Sequence, residues 1–322
     1  MDIMSWWSKR GGAKLELLAT LWPSFPHYER FQEDTRLTGI RLNSAMMSNP
    51  ELDKELLTIE KLNRSRKVDL FFDVKARQPR VTWVDEDNKE RLDLRLNHPI
   101  KCKTPCVVIF KGGVDHAELD HLEEGGRRLV FNGGPRYKVK PGESLYVRDP
   151  SLHIGGDLFI PEEKLKIEKC RKAGFKKWFL SYVEEERDLD QFFELAGKDN
   201  EVWLKIESMR GLDFVARHFK KRENLVLVAA RGDLYVEIDR PHNIAGALRM
   251  IVNADPEACV ASRILLSVVD GPVPSCADFL ELQWLHDVGY RRMMLCDELC
   301  LKGDLLGTAV NAFESFRGTV PA

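Results

Sequence analysis

The stretch Leu225-Val-Leu-Val-Ala229, running on into Ala230-Arg-Gly-Asp233, decides the fold. Five apolar residues without alternation read as a strand covered on both faces, the habit of a parallel sheet. Charged, helix-patterned segments flank it at 209–219 and 244–252. The same unit recurs in both directions. Short apolar runs at 177–180, 202–206, 259–264 and 292–295 alternate with helical segments at 162–173, 189–196, 277–287 and 305–316. Strands separated by helical patterns of this length mean βαβ units. Upstream, 15–21, 38–42 and 68–74 read as three further strands and 50–62 as a helix. Eight β/α units predict an α/β protein, a closed (β/α)8 TIM barrel.

Such a barrel needs about 250 residues, and roughly 70 of the chain's 322 are then left over. They sit in the middle. Between strands three and four come short apolar runs at 80–84, 92–96, 105–110, 128–131 and 144–147, punctuated by Gly112-Gly113, Gly125-Gly126, Gly133-Gly134 and Pro141-Gly142. Turn residues without crossover helices predict antiparallel strands. The expected organisation is a barrel over 14–80 and 158–318, interrupted after strand 3 by a small antiparallel β lid over 81–157.

Composition narrows the function. The 49 basic and 51 acidic side chains give a net charge of −2, without the basic excess of a nucleic-acid binder. No apolar run approaches the roughly 18 residues of a membrane span. The first twelve residues lack the apolar core of a secretory signal. Seven cysteines are an odd count, too sparse for a disulfide framework. Together these predict a cytoplasmic protein with reduced thiols, acting on small molecules.

Active sites of such barrels lie at the C-terminal ends of the strands. The polar residues expected there are Thr20, Arg41, Asn43, Asp73, Lys75, Ser181, Lys205, Glu207, Arg231, Gly232, Asp233, Ser262, Arg263, Asp297 and Glu298. Glu207 and Asp233, on neighbouring strand ends, are hard oxygen donors. Two carboxylates completed by water and substrate oxygens suit Mg2+ or Mn2+ better than Zn2+. Lys205 and Arg41 suit an anionic substrate. So many charges at one mouth are more than strand capping requires, because perturbed charges gather at sites.

Lys205-Ile-Glu-Ser208 and Ala230-Arg-Gly-Asp-Leu-Tyr-Val-Glu-Ile238 resemble two stretches of the pyruvate kinase family, Lys-Ile-Glu-Asn and Ala-Arg-Gly-Asp-Leu-Gly-Val-Glu-Ile. Weaker similarities follow in order: Leu18-Ala-Thr-Leu-Trp-Pro-Ser24, Arg41-Leu-Asn43, Asp73-Val-Lys75 with Arg80, Val139-Lys-Pro-Gly142, Ile160-Pro-Glu-Glu163 and Ala261-Ser-Arg263. The resemblance implies that Glu207 and Asp233 hold a divalent metal and that Lys205 balances charge on the phosphoryl group in flight. It implies that Arg41 holds the substrate phosphate and that the Gly232 and Asp233 amides hold the carboxylate. Ser262 would stand in for a threonine that positions the proton donor. Asn43, Asp73 and Arg80 would face the nucleotide phosphates and a K+ site.

The departures from that family are uneven. The expectation is a compact, divergent form without the family's C-terminal regulatory domain and with a shortened lid. Ala45 and Val74 replace hydroxyl residues of the K+ site, Arg263 a Gln and Cys276 an Arg, and Cys296-Asp-Glu-Leu299 stands for a Ser-Gly-Glu-Thr turn. The metal and enolate side survives while the nucleotide side is eroded. Three functions are therefore expected to compete. The first is a Mg2+-dependent phosphotransferase acting on phosphoenolpyruvate or pyruvate with ADP or ATP. The second is a metal-dependent lyase or aldolase that handles a pyruvate enolate without a nucleotide. The third is a non-catalytic binding protein of the same fold. A homodimer is expected from helices left without a C-terminal domain's cover.

Other motifs read as structural. Cys102-x3-Cys106 and Cys296-x3-Cys300 do not match zinc spacings. Val183-Glu-Glu-Glu186 reads as a solvated helix start. Lys138 and Lys140 solvate a turn. His98, His116, His121 and His153 read as surface residues, and Trp6 and Trp7 as a contact patch or as packing on the barrel base.

Overall fold

A computed structural model describes residues 14–62, 68–87 and 90–320; Trp6 and Trp7 lie outside them. The chain runs β1 (Glu16–Thr20), α1 (Tyr28–Gln32), β2 (Gly39–Asn43), α2 (Asn49–Leu62) and β3 (Asp69–Val74). The inserted strands follow: β4 (Val81–Val84), β5 (Asp93–Leu96), β6 (Ile100–Lys101), β7 (Cys106–Phe110), β8 (Asp115–Glu123), β9 (Arg128–Asn132), β10 (Leu145–Val147) and β11 (His153–Ile154). The barrel resumes with α3 (Pro161–Lys172), β12 (Lys177–Leu180), α4 (Glu186–Ala196), β13 (Glu201–Ile206), α5 (Met209–Arg217), β14 (Leu225–Ala230), α6 (Arg231–Glu237) and α7 (Ile244–Ala254). It closes through β15 (Cys259–Ala261), α8 (Cys276–Asp287), β16 (Arg292–Met294), α9 (Asp297–Cys300) and α10 (Gly303–Arg317). Eight parallel strands form a closed barrel in the order β1-β16-β15-β14-β13-β12-β3-β2. The fold is an α/β TIM-type barrel, with a separate antiparallel sheet after β3.

The barrel strands stand within a residue or two of their expected positions, except that the 259–264 run ends as a strand at Ala261. Ser262, Arg263 and Leu265 all take left-handed backbone angles, which turn the chain out of the sheet. The lid holds three strands beyond those expected: the short β6 and β11, which pair with each other, and β8. Its sheet runs β10-β7-β8-β9-β5-β4, and β8 is its longest member. Along Asp115–Glu123 the Ala117 and Leu119 side chains point inward between exposed His116, Glu118 and Asp120. Only two apolar residues in its buried register left the period-2 signal too faint to read.

Side-chain alternation builds the interior in layers. Leu18, Phe71, Phe179, Trp203, Val226, Val228, Cys259, Ala261 and Met294 form an apolar cluster inside the barrel. The rings of Phe71, Phe179 and Trp203 lie 4.8 to 5.2 Å apart. Gly39 makes room for them, since a Cβ there would meet the Phe71 ring at 2.8 Å. Two residues further along a strand, the chain faces the same way one layer higher. Phe71 is thus followed by Asp73, Trp203 by Lys205, Phe179 by Ser181, Leu18 by Thr20 and Gly39 by Arg41. The apolar layer is the floor on which a charged layer rests. Among the described residues, no helix is long and apolar enough to cross a membrane.

Candidate active site at the barrel mouth

A cavity of about 490 Å3 opens at the C-terminal ends of the strands, beneath the lid. Arg41, Asn43, Arg80, Lys205, Glu207, Gly232, Asp233 and Ser262 all line it. Lys75, Arg263, Asp297 and Glu298, also expected at the strand ends, line it too, and Lys111, Ser144 and Tyr146 come from the lid side. Of the residues expected at the mouth, Thr20, Asp73, Ser181 and Arg231 do not line this cavity; Arg231 turns away to Glu281 and the Ser262 carbonyl.

Asp73 lies below the cavity wall, fully buried, and organises the cations. Its carboxylate accepts from Arg41 Nε at 2.7 Å, Lys75 Nζ at 3.0 Å and Ser181 Oγ at 3.2 Å. Lys205 Nζ stands 3.5 Å from the same oxygen that Arg41 and Lys75 engage. Burial alone would raise this carboxyl, but Lys205, Lys75 and Arg41 overcome it and hold the group far below the usual carboxylate range. Lys75 moves the opposite way, to about 8, because burial outweighs Asp73 and the Lys205 and Arg41 charges add to it.

Lys205 also pairs with Glu207 at 2.8 Å and donates to Ser181 Oγ at 3.1 Å. Glu207 receives the Tyr182 amide at 2.8 Å. Its carboxyl is pushed up to about 7, first by burial, with Lys205 opposing and Asp233 reinforcing. Asp233 sits in the first turn of α6 and accepts hydrogen bonds from the Tyr146 hydroxyl and from Gln78 Nε2 at 3.3 Å. The lid thus touches one of the two expected metal ligands directly. Ser262 lies over Gly232, where an added Cβ would come within 3.4 Å of the hydroxyl oxygen.

The far wall is more crowded with ion pairs. Arg41 donates to Asp297 at 2.6 Å and to Thr20 at 3.0 Å, and Asn43 donates to the second Asp297 oxygen at 3.0 Å. Arg80 donates to Gln78 and to the Gly142 carbonyl. Arg41, Asn43 and Arg80, all expected to meet phosphates, are therefore already held by the protein's own acceptors.

Two expectations are corrected. His98 is buried, with Nε2 3.0 Å from the Asp157 carbonyl at the lid hinge, because the chain folds back over it there. The segment Val183-Glu-Glu-Glu186 is not a solvated helix start throughout. Glu184 turns inward, accepts from Ser208 Oγ at 2.6 Å, and is raised by burial despite that bond. Cys102 and Cys106 meet at 3.9 Å as free thiols, and among the described residues no group of three or more His, Cys, Asp or Glu forms a metal cluster.

Sequence reasoning passed over Gln78, Lys111, Tyr146, Tyr182 and Glu237. The first three belong to the site only because the lid folds over the mouth. Glu237 lies within the quoted motif but one helical turn beyond Asp233. It is pushed up to about 8 by burial, then by Asp233 and Glu184. A carboxyl raised in the fold stabilises the protein most below its unfolded value near 4.5, and that benefit is lost as pH rises through about 8. Glu237→Gln should therefore melt with wild type at pH 4 and several degrees above it at pH 9. Calorimetry across that range checks it; a variant less stable at pH 9 would refute the assignment.

In comparisons with known proteins, no family model matches this chain, and no curated protein matches it. The class of protein is defined by fold and cavity alone: a (β/α)8 barrel with a charged, lidded mouth.

Proposed function

We propose that the protein is a divalent-cation-dependent enzyme that binds a phosphoenolpyruvate- or pyruvate-like acid and works through its enolate. The observation that carries this reading is the convergence of Lys205, Glu207, Gly232, Asp233 and Ser262 on one cavity. It agrees with the resemblance to pyruvate kinases, under which the reaction is phosphoryl transfer with ADP or ATP.

The donor set fits Mg2+ or Mn2+. Glu207 and Asp233 are the only ligands required, since Mg2+ keeps several waters and takes one or two carboxylates. Glu207 also carries a buried charge that one lysine leaves incompletely balanced. A bound cation would supply Lewis-acid polarisation of the substrate oxygens. Lys205, held in its charged form by Asp73 and Glu207, presents an ammonium to developing negative charge. Ser262, with its hydroxyl over Gly232, is the group placed to move or relay a proton at the enolate carbon. Tyr146 and the lid cover the mouth and exclude water.

Tyr146 competes for Asp233. Tyr146→Phe should tighten Mn2+ binding by up to roughly tenfold, the equivalent of ~1.4 kcal/mol from one hydrogen bond to a charged group. Mn2+ titration followed by electron paramagnetic resonance checks it; weaker binding in the variant would count against Asp233 as a ligand.

The contacts on the nucleotide side favour a second reading. With Asn43 committed to Asp297 and Arg80 to Gln78 and the Gly142 carbonyl, the nucleotide side offers fewer open donors, as a lyase or aldolase without a nucleotide requires. The deciding experiment offers phosphoenolpyruvate, ADP and Mg2+ and follows ATP formation, beside proton exchange at pyruvate C3. ATP formation supports the kinase reading. Exchange without transfer supports the lyase. Neither activity, with no Mg2+-dependent ligand binding, leaves a binding protein.

A further inference from the structure

A second cavity of about 230 Å3 shares Tyr146 with the first and lies between the lid's return segment, the start of α5 and the end of α6. Its walls divide by chemistry. Val147, Leu152, Ile154, Met209 and Val236 make an apolar side. Glu184, Glu237, Asp149 and Asp239 make an acidic one, against two guanidiniums, Arg148 and Arg210. Both guanidiniums are engaged: Arg148 donates to the Val236 carbonyl at 2.7 Å, and Arg210 stands 3.3 Å from Glu184.

The inner end is short of donors and of positive charge. Glu237 makes no hydrogen bond or ion pair among the described residues; after burial, the carboxylates Asp233 and Glu184 act on it most, with Arg148 opposing them more weakly. Tyr182 lines the same cavity, is only 3 % exposed, and its hydroxyl has no hydrogen-bond partner. The groups that act on that hydroxyl are Asp233, Glu237, Tyr146 and Glu207. A buried phenol without a partner is costly, and the half-buried Glu237 carboxyl beside it has no donor of its own. A ligand with N–H donors and a positive charge satisfies both.

We propose that this cavity binds an organic cation, a primary ammonium or guanidinium carried on a short alkyl stem. The charged head meets Glu237, Glu184 and the Tyr182 oxygen, and the stem lies along Leu152, Ile154 and Met209. A bare metal ion would leave the apolar wall without a role, and no three-carboxylate cluster stands there among the described residues. The cation site does not require the metal chemistry proposed for the first cavity, although Tyr146 lines both.

The test is calorimetric titration of the full chain with agmatine and with n-butylammonium, n-butanol serving as the uncharged stem. Saturable binding of the cations and none of the alcohol is expected. Glu237→Gln, which keeps the shape but removes the carboxylate that a bound cation would stabilise, should weaken agmatine at least tenfold. Ile154→Trp, which fills the cavity from the lid side, should abolish binding. Asn43→Ala, in the first cavity, should leave it within twofold. Absence of cation binding, equal affinity in Glu237→Gln, or a Glu237-dependent site for Mn2+ alone would each overturn the proposal.

Discussion

Asp73→Asn should destabilise the protein by about 3–5 kcal/mol, the range for removing one partner from a buried charge network. Asp73 is the one anion beneath the cavity that faces Arg41, Lys75 and Lys205 together. Without its charge, three nearly buried cations crowd one layer of the barrel interior. Glu207 and Asp297 each balance one of them, and Lys75 is left with none. At this chain length the loss corresponds to a fall in Tm of about 10 °C. Lys75→Met in the same chain should recover part of that loss, because it removes the cation left unpaired. Thermal melts of the two single variants and the double variant check the expectation. An Asp73→Asn protein that melts with wild type would show that the cations are solvated instead.

The second large effect concerns Glu207 and Asp233. Glu207→Gln or Asp233→Asn should weaken Mn2+ binding at least a hundredfold, because each removes one of only two protein ligands. Turnover should vanish with it. Lys205→Met should behave differently. It leaves both carboxylates in place and removes charge balance needed as the reaction proceeds, so kcat should fall more than substrate affinity. Mn2+ titration and steady-state kinetics on the three variants separate the roles. Full activity in either carboxylate variant would remove both residues from the metal site.

The barrel was legible because its strands are uniformly apolar and its helices are charged, so the two periods alternate without ambiguity. The 225–230 strand and its neighbours needed nothing beyond their own residues. The site was legible for the same reason that the barrel was: polar residues one step beyond an apolar strand can only stand at the mouth. That rule placed Lys205, Glu207, Asp233, Arg41 and Ser262 on one cavity. It also placed Thr20, Asp73, Ser181 and Arg231 there, whereas the structure buries them behind the wall, because strand alternation names a layer and not a depth. What the lid contributes was not legible. Tyr146 and Gln78 meet Asp233 only through the return of the inserted sheet over the mouth, and no local pattern encodes that docking. Glu184 looked solvated because its neighbours Glu185 and Glu186 are more exposed, yet one residue of the three turns inward at the strand end. The β8 strand was lost because charged residues outnumber apolar ones along it.

The central claim is that this cavity holds and protonates an enolate under divalent-cation control. Exchange of the pyruvate methyl protons in D2O, followed by proton NMR with and without Mg2+, tests it most directly. The account predicts Mg2+-dependent exchange that disappears in Glu207→Gln and is retained in Asn43→Ala. No exchange above the buffer rate in the wild-type protein, with Mg2+ and pyruvate both saturating, would contradict it.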